Sequence, residues 1–141
     1  MSVFIDSNIP MYVAGIEHPN RAPARHVLER IRSGEVEGCT STEVLQEILY
    51  RYAGLARLDL GRRVYDLFLQ VVPSVFPVTL ADTDLARDLL DEVPGLSARD
   101  AVHAAVMRNR EVSRIATFDP AFDAIRGIER LELESPPEGT P

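Results

Sequence analysis

Four acidic residues carry the most specific chemistry in this sequence. Asp6 follows the apolar run Val3-Phe4-Ile5. Glu47 closes Ser41-Thr42-Glu43-Val44-Leu45-Gln46-Glu47. Asp100 closes Ser97-Ala98-Arg99-Asp100, and Asp119 follows Ile115-Ala116-Thr117-Phe118. A carboxylate supplies a hard oxygen donor and a negative charge together, which suits Mg²⁺, an ion that keeps several of its waters. Four carboxylates gathered at one place repel one another and raise some of their own pKa values unless cations are shared among them. Phosphodiester hydrolysis needs a nucleophilic water, neutralised charge on the phosphorus oxygens and a stabilised leaving oxygen. One or two ions in such a cluster meet all three needs.

Each acid also has an ordinary local explanation. Asp6 suits the cap of a following helix. Glu47 stands four residues before Arg51, the spacing of a solvated helical ion pair. Glu43 stands three after Thr40, as in a capping box, and so does Asp100 after Ser97, where a first-turn acid also suits the helix dipole. That position still holds a carboxylate firmly, so the structural and metal roles of Asp100 are compatible. Asp119 precedes Pro120, a common turn signal, and Asp123 is a weaker second candidate. His103 has ligand spacing from Asp100, but a single histidine on a buried helix reads first as a core residue. His18 and His26 read as surface residues. Arg51 and Arg99 are candidate phosphate contacts, with solvated helix charge as the plainer reading.

Composition narrows the field. The 141 residues suit one domain, assigned to 1–134, with a Pro/Gly-rich tail over 135–141 expected to be disordered. No apolar run is long enough to span a bilayer, and the opening residues do not read as a signal peptide, so the expected location is the cytoplasm. Cys39 is the only cysteine, which excludes an internal disulfide and a cysteine-rich zinc site; it reads as a small apolar residue in a strand. All 15 basic residues are arginine. The absence of lysine excludes Walker-type phosphate loops, Schiff-base chemistry and a phospho-receiver site. The net charge of −7 argues against sequence-blind binding to naked nucleic acid. Two divalent cations would offset four of those charges.

The elements that must position the acids follow from pattern. Val3–Ile5 reads as a buried strand, followed by a helix through Pro10 and Tyr12. An amphipathic helix is expected over 21–33 (Ala24, Val27, Leu28, Ile31), with Gly34 ending it. A strand over 36–39 leads into a helix from Thr40 to about Ala53, with a core stripe of Val44, Leu45, Ile48, Leu49 and Tyr52. Further helices are expected over 59–72 (Val64, Leu67, Phe68, Val71), 81–92 and 98–109, the last apolar or small nearly all round. Strands are expected over 75–78, 113–117 and 131–133. Strands alternating with helices imply an α/β fold, a central parallel sheet covered on both faces in three α/β/α layers. Ligands gather at the carboxyl ends of such strands, and Asp6 and Asp119 each follow one.

Taken together, the four segments resemble the acidic motifs of PIN-domain nucleases, and most nearly the VapC-type toxins of prokaryotic toxin–antitoxin pairs. The likeness runs from Asp6 to about Phe122. It implies that Asp6, Glu47, Asp100 and Asp119 are the metal-site and catalytic acids of a Mg²⁺- or Mn²⁺-dependent endoribonuclease. Asp6 and Asp100 would hold the principal ion, and Glu47 and Asp119 would complete its shell directly, through water or through a second ion. Water would attack in line, leaving 5′-phosphate and 3′-hydroxyl ends. Ser7 or Asn8 and Thr117 match supporting polar positions; Ser7-Asn8 replaces the more usual Thr-Asn, and Phe118 stands where the family usually has Asn or Asp. The resemblance further implies an RNA substrate such as tRNA or rRNA, a homodimer, and inhibition by a VapB-like antitoxin, with the apolar faces of 21–33 and 42–53 as docking surfaces. The alternatives are an RNA-processing PIN nuclease without an antitoxin and a non-catalytic binding module of the same fold.

Overall fold

The structure is a computed structural model that describes residues 2–137. Strand β1 (Ser2–Ile5) lies at its centre, and Val3, Phe4 and Ile5 are all buried. An unbroken apolar run of this kind suits a strand covered on both faces. β1 pairs in parallel with β2 (Glu37–Ser41) on one side and with β4 (Arg114–Ala116) on the other. Two short strands, β3 (Val75–Phe76) and β5 (Glu129–Arg130), complete a parallel sheet of order β3-β2-β1-β4-β5.

This order fixes where a site can form. The chain steps outward from β1 to β3, then returns to the far side of β1 as β4. The reversal makes the gap beyond the carboxyl ends of β1 and β4 the switch point, where adjacent connections diverge and leave a crevice. Right-handed crossovers send α1 (Asn8–Ala14) and α2 (Arg21–Arg32) to one face, and α5 (Leu80–Glu92) and α6 (Ala98–Asn109) to the other. Helices α3 (Thr42–Gly54) and α4 (Leu58–Val71) join β2 to β3, and α3 also touches α6. The expected three-layer arrangement is the one observed.

Two fastenings hold the helices that carry Glu47 and Asp100. Gly61 of α4 is buried against α3, and a Cβ there would come within 2.7 Å of Tyr52 Cβ. The glycine lets α4 approach closely enough to pin α3. Asp82 does the corresponding work for α6. Its buried carboxylate accepts from Asn109 Nδ2 at 2.8 Å, from Arg110 Nη1 at 2.7 Å and from the Thr79 amide at 2.8 Å, completing a capping box at the start of α5. Although burial opposes its charge, these donors hold the Asp82 carboxyl down to about 2.

Several expectations need correction. Thr40 does not cap α3. It lies within β2, which runs on to Ser41, and its hydroxyl donates to the Ile5 carbonyl at 2.9 Å, so no capping box forms with Glu43. The sheet outbids the helix for that hydroxyl. Leu49 and Leu67, assigned to core stripes, are 41% and 55% exposed, because α3 and α4 each keep one flank free. The final strand lies at Glu129–Arg130 rather than 131–133; the pairing with β4 comes earlier because Leu131 N closes the ladder on the Ile115 carbonyl. The third strand stops at Phe76, and the Pro77 carbonyl accepts instead from Arg110 Nη2. Residues 135–137 form no regular element, and the rest of the tail, 138–141, lies outside the described residues. Among the described residues no helix is long and apolar enough to cross a membrane.

Asp82→Ala should lower unfolding stability by about 2–4 kcal/mol, because it strands a partly buried guanidinium and an amide. Urea denaturation at pH 7 measures it. The wild-type advantage of this carboxylate is present above the unfolded pKa near 4 and is lost as pH falls through about 2.

Candidate metal centre

Asp6 emerges from the end of β1 with its side chain buried. It does not cap α1, whose first turn has no side-chain cap. Instead Oδ1 accepts from the Ser7 amide at 2.7 Å, and Oδ2 accepts from Thr117 Oγ1 at 2.7 Å. Thr117 stands just beyond β4, so this bond ties the two central strand ends together. Asn8 Nδ2 donates to Thr117 Oγ1 at 3.0 Å, fixing the direction in which that hydroxyl gives its proton. The same oxygen accepts from the Asp119 amide at 3.1 Å. Two longer bonds at 3.5 Å, from Ser7 Oγ to Asp6 Oδ1 and from Asn8 Nδ2 to Oδ2, complete the set, and because these four donors are neutral they orient the carboxylate without cancelling its charge.

Glu47 is half-buried on α3 and does not pair with Arg51. Its Oε2 accepts from Ser7 Oγ at 3.2 Å, and its Oε1 meets His103 Nε2 of α6 in a short hydrogen bond. His103 Nε2 also lies 3.7 Å from Asp6 Oδ1. Donor atoms of Asp6, Glu47 and His103 all fall within 4.8 Å of one another. The sequence pattern pointed to Asp6 and Glu47 but left His103 in the core. It is fully buried, as expected of a core residue, yet its polar edge faces the acids. The available signal was its position one turn after Asp100.

Asp100 and Asp119 flank this trio rather than joining it. The Asp100 amide donates to Ser97 Oγ at 3.1 Å, half of the expected capping box. Burial, reinforced by the negative charges of Asp119 and Asp6, pushes the Asp100 carboxyl up to about 6. Burial likewise raises Asp6. Asp119 accepts from the Ala121 amide at 2.9 Å, starting a short 3₁₀ turn over Pro120–Ala124 and leaving its second oxygen free of that bond. Phe118, the departure from family pattern, packs edge-on against Tyr12, with centroids 5.2 Å apart. Asp123 is not part of the group: both of its oxygens are taken by Arg130 at 2.8 Å. Glu43 also stays outside the trio.

The donor set fits a hard divalent cation. Four carboxylates converge on one sheet edge, and among the described residues no arginine forms an ion pair with any of them. Among the described residues His103 is the base in contact with Asp6 and Glu47, and an oxygen-binding cation would lower the remaining cost of burying carboxylates together. Of the two arginines weighed as phosphate contacts, Arg51 is exposed, and Arg99 lies over the Tyr50 ring, 4.5 Å from its centroid, at the rim beside Asp100. Cys39 is buried in β2, and burial pushes its thiol up to about 11, so it is an inert packing residue.

Comparison with known proteins agrees with this geometry. A PIN-domain family model matches residues 3–128. The ribonuclease VapC13 of Mycobacterium tuberculosis is 42% identical over 129 residues, covering 92% of this chain and 98% of the relative. In structure, the VapBC2 complex of Rickettsia felis, solved on a promoter DNA fragment, matches with a TM-score of 0.73 at 16% identity. It covers 94% of this chain and 100% of that one. VapC20 of M. tuberculosis, described as a toxin cleaving the sarcin–ricin loop, matches with a TM-score of 0.71 at 21% identity, covering 86% and 93%. Motif order, sheet topology and near-complete coverage of a 42%-identical relative coincide, and the chain belongs to the PIN-domain family, among its VapC ribonucleases.

Proposed function

We propose that this VapC ribonuclease is a Mg²⁺- or Mn²⁺-dependent endoribonuclease toxin of the cytoplasm, silenced by a VapB-like antitoxin. The observation that carries the metal dependence is the acidic group at the switch point, which no arginine pairs among the described residues and where burial and like charge raise Asp6 and Asp100. Asp6 and Asp100 would hold the principal ion, with Glu47 and Asp119 completing its surroundings. Bound there, the ion would supply an activated water and neutralise charge building on the phosphate. The chain's own part is positioning. Thr117 and the Ser7 amide hold Asp6, Ser7 Oγ and His103 hold Glu47, and the first turn of α6 holds Asp100. Arg99, stacked on Tyr50 at the rim, is placed to meet an RNA phosphate without neutralising the acids.

An apolar cleft offers the antitoxin a seat of matching chemistry. Helices α1, α2 and α4 leave an apolar cleft of ≈ 400 Å³ lined by Pro10, Val13, Leu28, Leu60, Leu67 and Phe68. This differs in part from the surfaces suggested by pattern. Leu28 of α2 lines this cleft, and its other wall comes from α4. Solved complexes of related folds that pair a VapC with its VapB support the choice of partner.

Three outcomes follow. Asp6→Ala and Asp100→Asn should each fold and lose RNA cleavage by at least about 10²–10³-fold in the presence of Mn²⁺. Wild-type cleavage by carefully purified Asp6→Ala would overturn the assignment. In metal-free protein, the raised Asp100 binds a proton more tightly folded than unfolded, so stability should fall as pH rises from about 4 to about 6. Allowing for solvent screening, its share is about 1 kcal/mol. Divalent metal should reverse the trend, and thermal melts with and without Mn²⁺ across that range read both. Finally, Leu67→Glu should leave RNA cleavage intact while weakening antitoxin binding by about tenfold or more, measured by titration calorimetry.

A further inference from the structure

His103 deserves a role of its own. Its ring is fully buried between Phe4 and Phe122, with centroid separations of 5.6 Å and 6.5 Å. These two aromatic walls limit the ring's freedom to turn. Nε2 faces Glu47 Oε1 and lies 3.7 Å from Asp6 Oδ1, whereas Nδ1 is buried and has no hydrogen-bond partner among the described residues.

Those facts separate two roles for the imidazole. Were Nε2 a metal ligand, its lone pair would point at the ion and the ring proton would sit on Nδ1. A buried N–H without an acceptor would result, whereas metal-bound histidines nearly always donate their second N–H to an acceptor. With the proton on Nε2, Nε2–H donates to Glu47 Oε1 at hydrogen-bond reach, and Nδ1 is left with an unpaired lone pair rather than an unpaired N–H.

We infer that His103 is a positioning residue whose Nε2–H holds the Glu47 carboxylate against Asp6, and that it does not ligate the metal. The inference rests on the metal reading proposed above. Its consequence is an ion surrounded by oxygen alone. A nitrogen donor would favour later transition metals, so keeping the imidazole out of the coordination shell favours hard ions such as Mg²⁺ and Mn²⁺.

The test measures Mn²⁺ affinity by electron paramagnetic resonance on wild type, His103→Gln and His103→Leu. Glutamine keeps an amide donor near the Nε2 position, and leucine fills the space without one. The expected result is affinity within about threefold of wild type for His103→Gln, and a loss of about tenfold or more for His103→Leu. Pulsed spectra of wild type carrying ¹⁵N-histidine should show no coupling from a directly bound imidazole. Equal losses in both variants, or such a coupling, would overturn the inference. If either variant fails to fold, the ¹⁵N spectrum of Mg²⁺-loaded wild type decides: a protonated Nε2 supports it, and an unprotonated Nε2 with an Nδ1–H overturns it. Absence of Mn²⁺ binding by wild type would bring down the metal reading and this inference together, and is recognisable because it involves no variant.

Discussion

A buried carboxylate with no arginine partner among the described residues is the constraint around which this molecule is organised. Asp6 sits at the end of the central strand, where burial alone would drive its proton back on. The protein answers with the edge of His103, 3.7 Å away, and with two neutral donors, the Ser7 amide and the Thr117 hydroxyl, which orient the charge. Asn8 then fixes Thr117, so the polar residues after β1 and β4 interlock across the switch point. A lysine or arginine here would be a simpler stabiliser, but it would occupy the place of a metal and of a phosphate.

Holding like charges together costs stability, which must come from elsewhere in the fold. The two fastenings are suited to that purpose. The glycine contact between α4 and α3 limits how far Glu47 can retreat, and the Asp82 clamp ties α5 to the end of α6, the helix that carries Asp100 and His103. Asp82 is the mirror case of Asp6. It too is a buried carboxylate, but it is fully supplied with donors including a guanidinium, and it is held low where Asp6 and Asp100 are raised. The same residue type thus does opposite work at two ends of the molecule, and the difference lies entirely in its partners.

That dependence on partners sets what the sequence can disclose. The helices and the order of strands were legible because their patterns are local: the apolar run before Asp6, the helical periodicity of 42–54, the small-residue helix after Ser97. Boundaries were lost where tertiary bonds compete with local ones, as when Thr40 gives its hydroxyl to Ile5 rather than to α3. The exposure of Leu49 and Leu67 was also illegible, because periodicity marks an apolar stripe without saying how much of it is covered. Within the site, the four acids could be named from motif spacing, yet the geometry draws Asp6 and Glu47 together with His103 and leaves Asp100 and Asp119 at the flank. His103 was set aside because nothing within a few residues reveals that its partner lies 56 positions earlier. Asp82 gave no functional signal either, since its partners are 27 and 28 residues away.

The placement of the arginines supports the same view from outside the site. Arg110 pairs with Asp82, Arg130 with Asp123, Arg57 with Asp59, Arg87 with Asp88 and Arg30 with Glu35. Most of these pairs are exposed and contribute little to stability individually. Their pattern is more informative than their strength, because they cancel charge at acids away from the switch point. Arg99 is instructive in a different way. It is adjacent in sequence to Asp100 but lies over Tyr50 instead of pairing with it. An aromatic face holds a guanidinium by its quadrupole and leaves several N–H donors available. The net negative charge of the chain is therefore no barrier in itself to an anionic substrate, since a divalent cation would be held among the site's acids and a positive group stands at their rim.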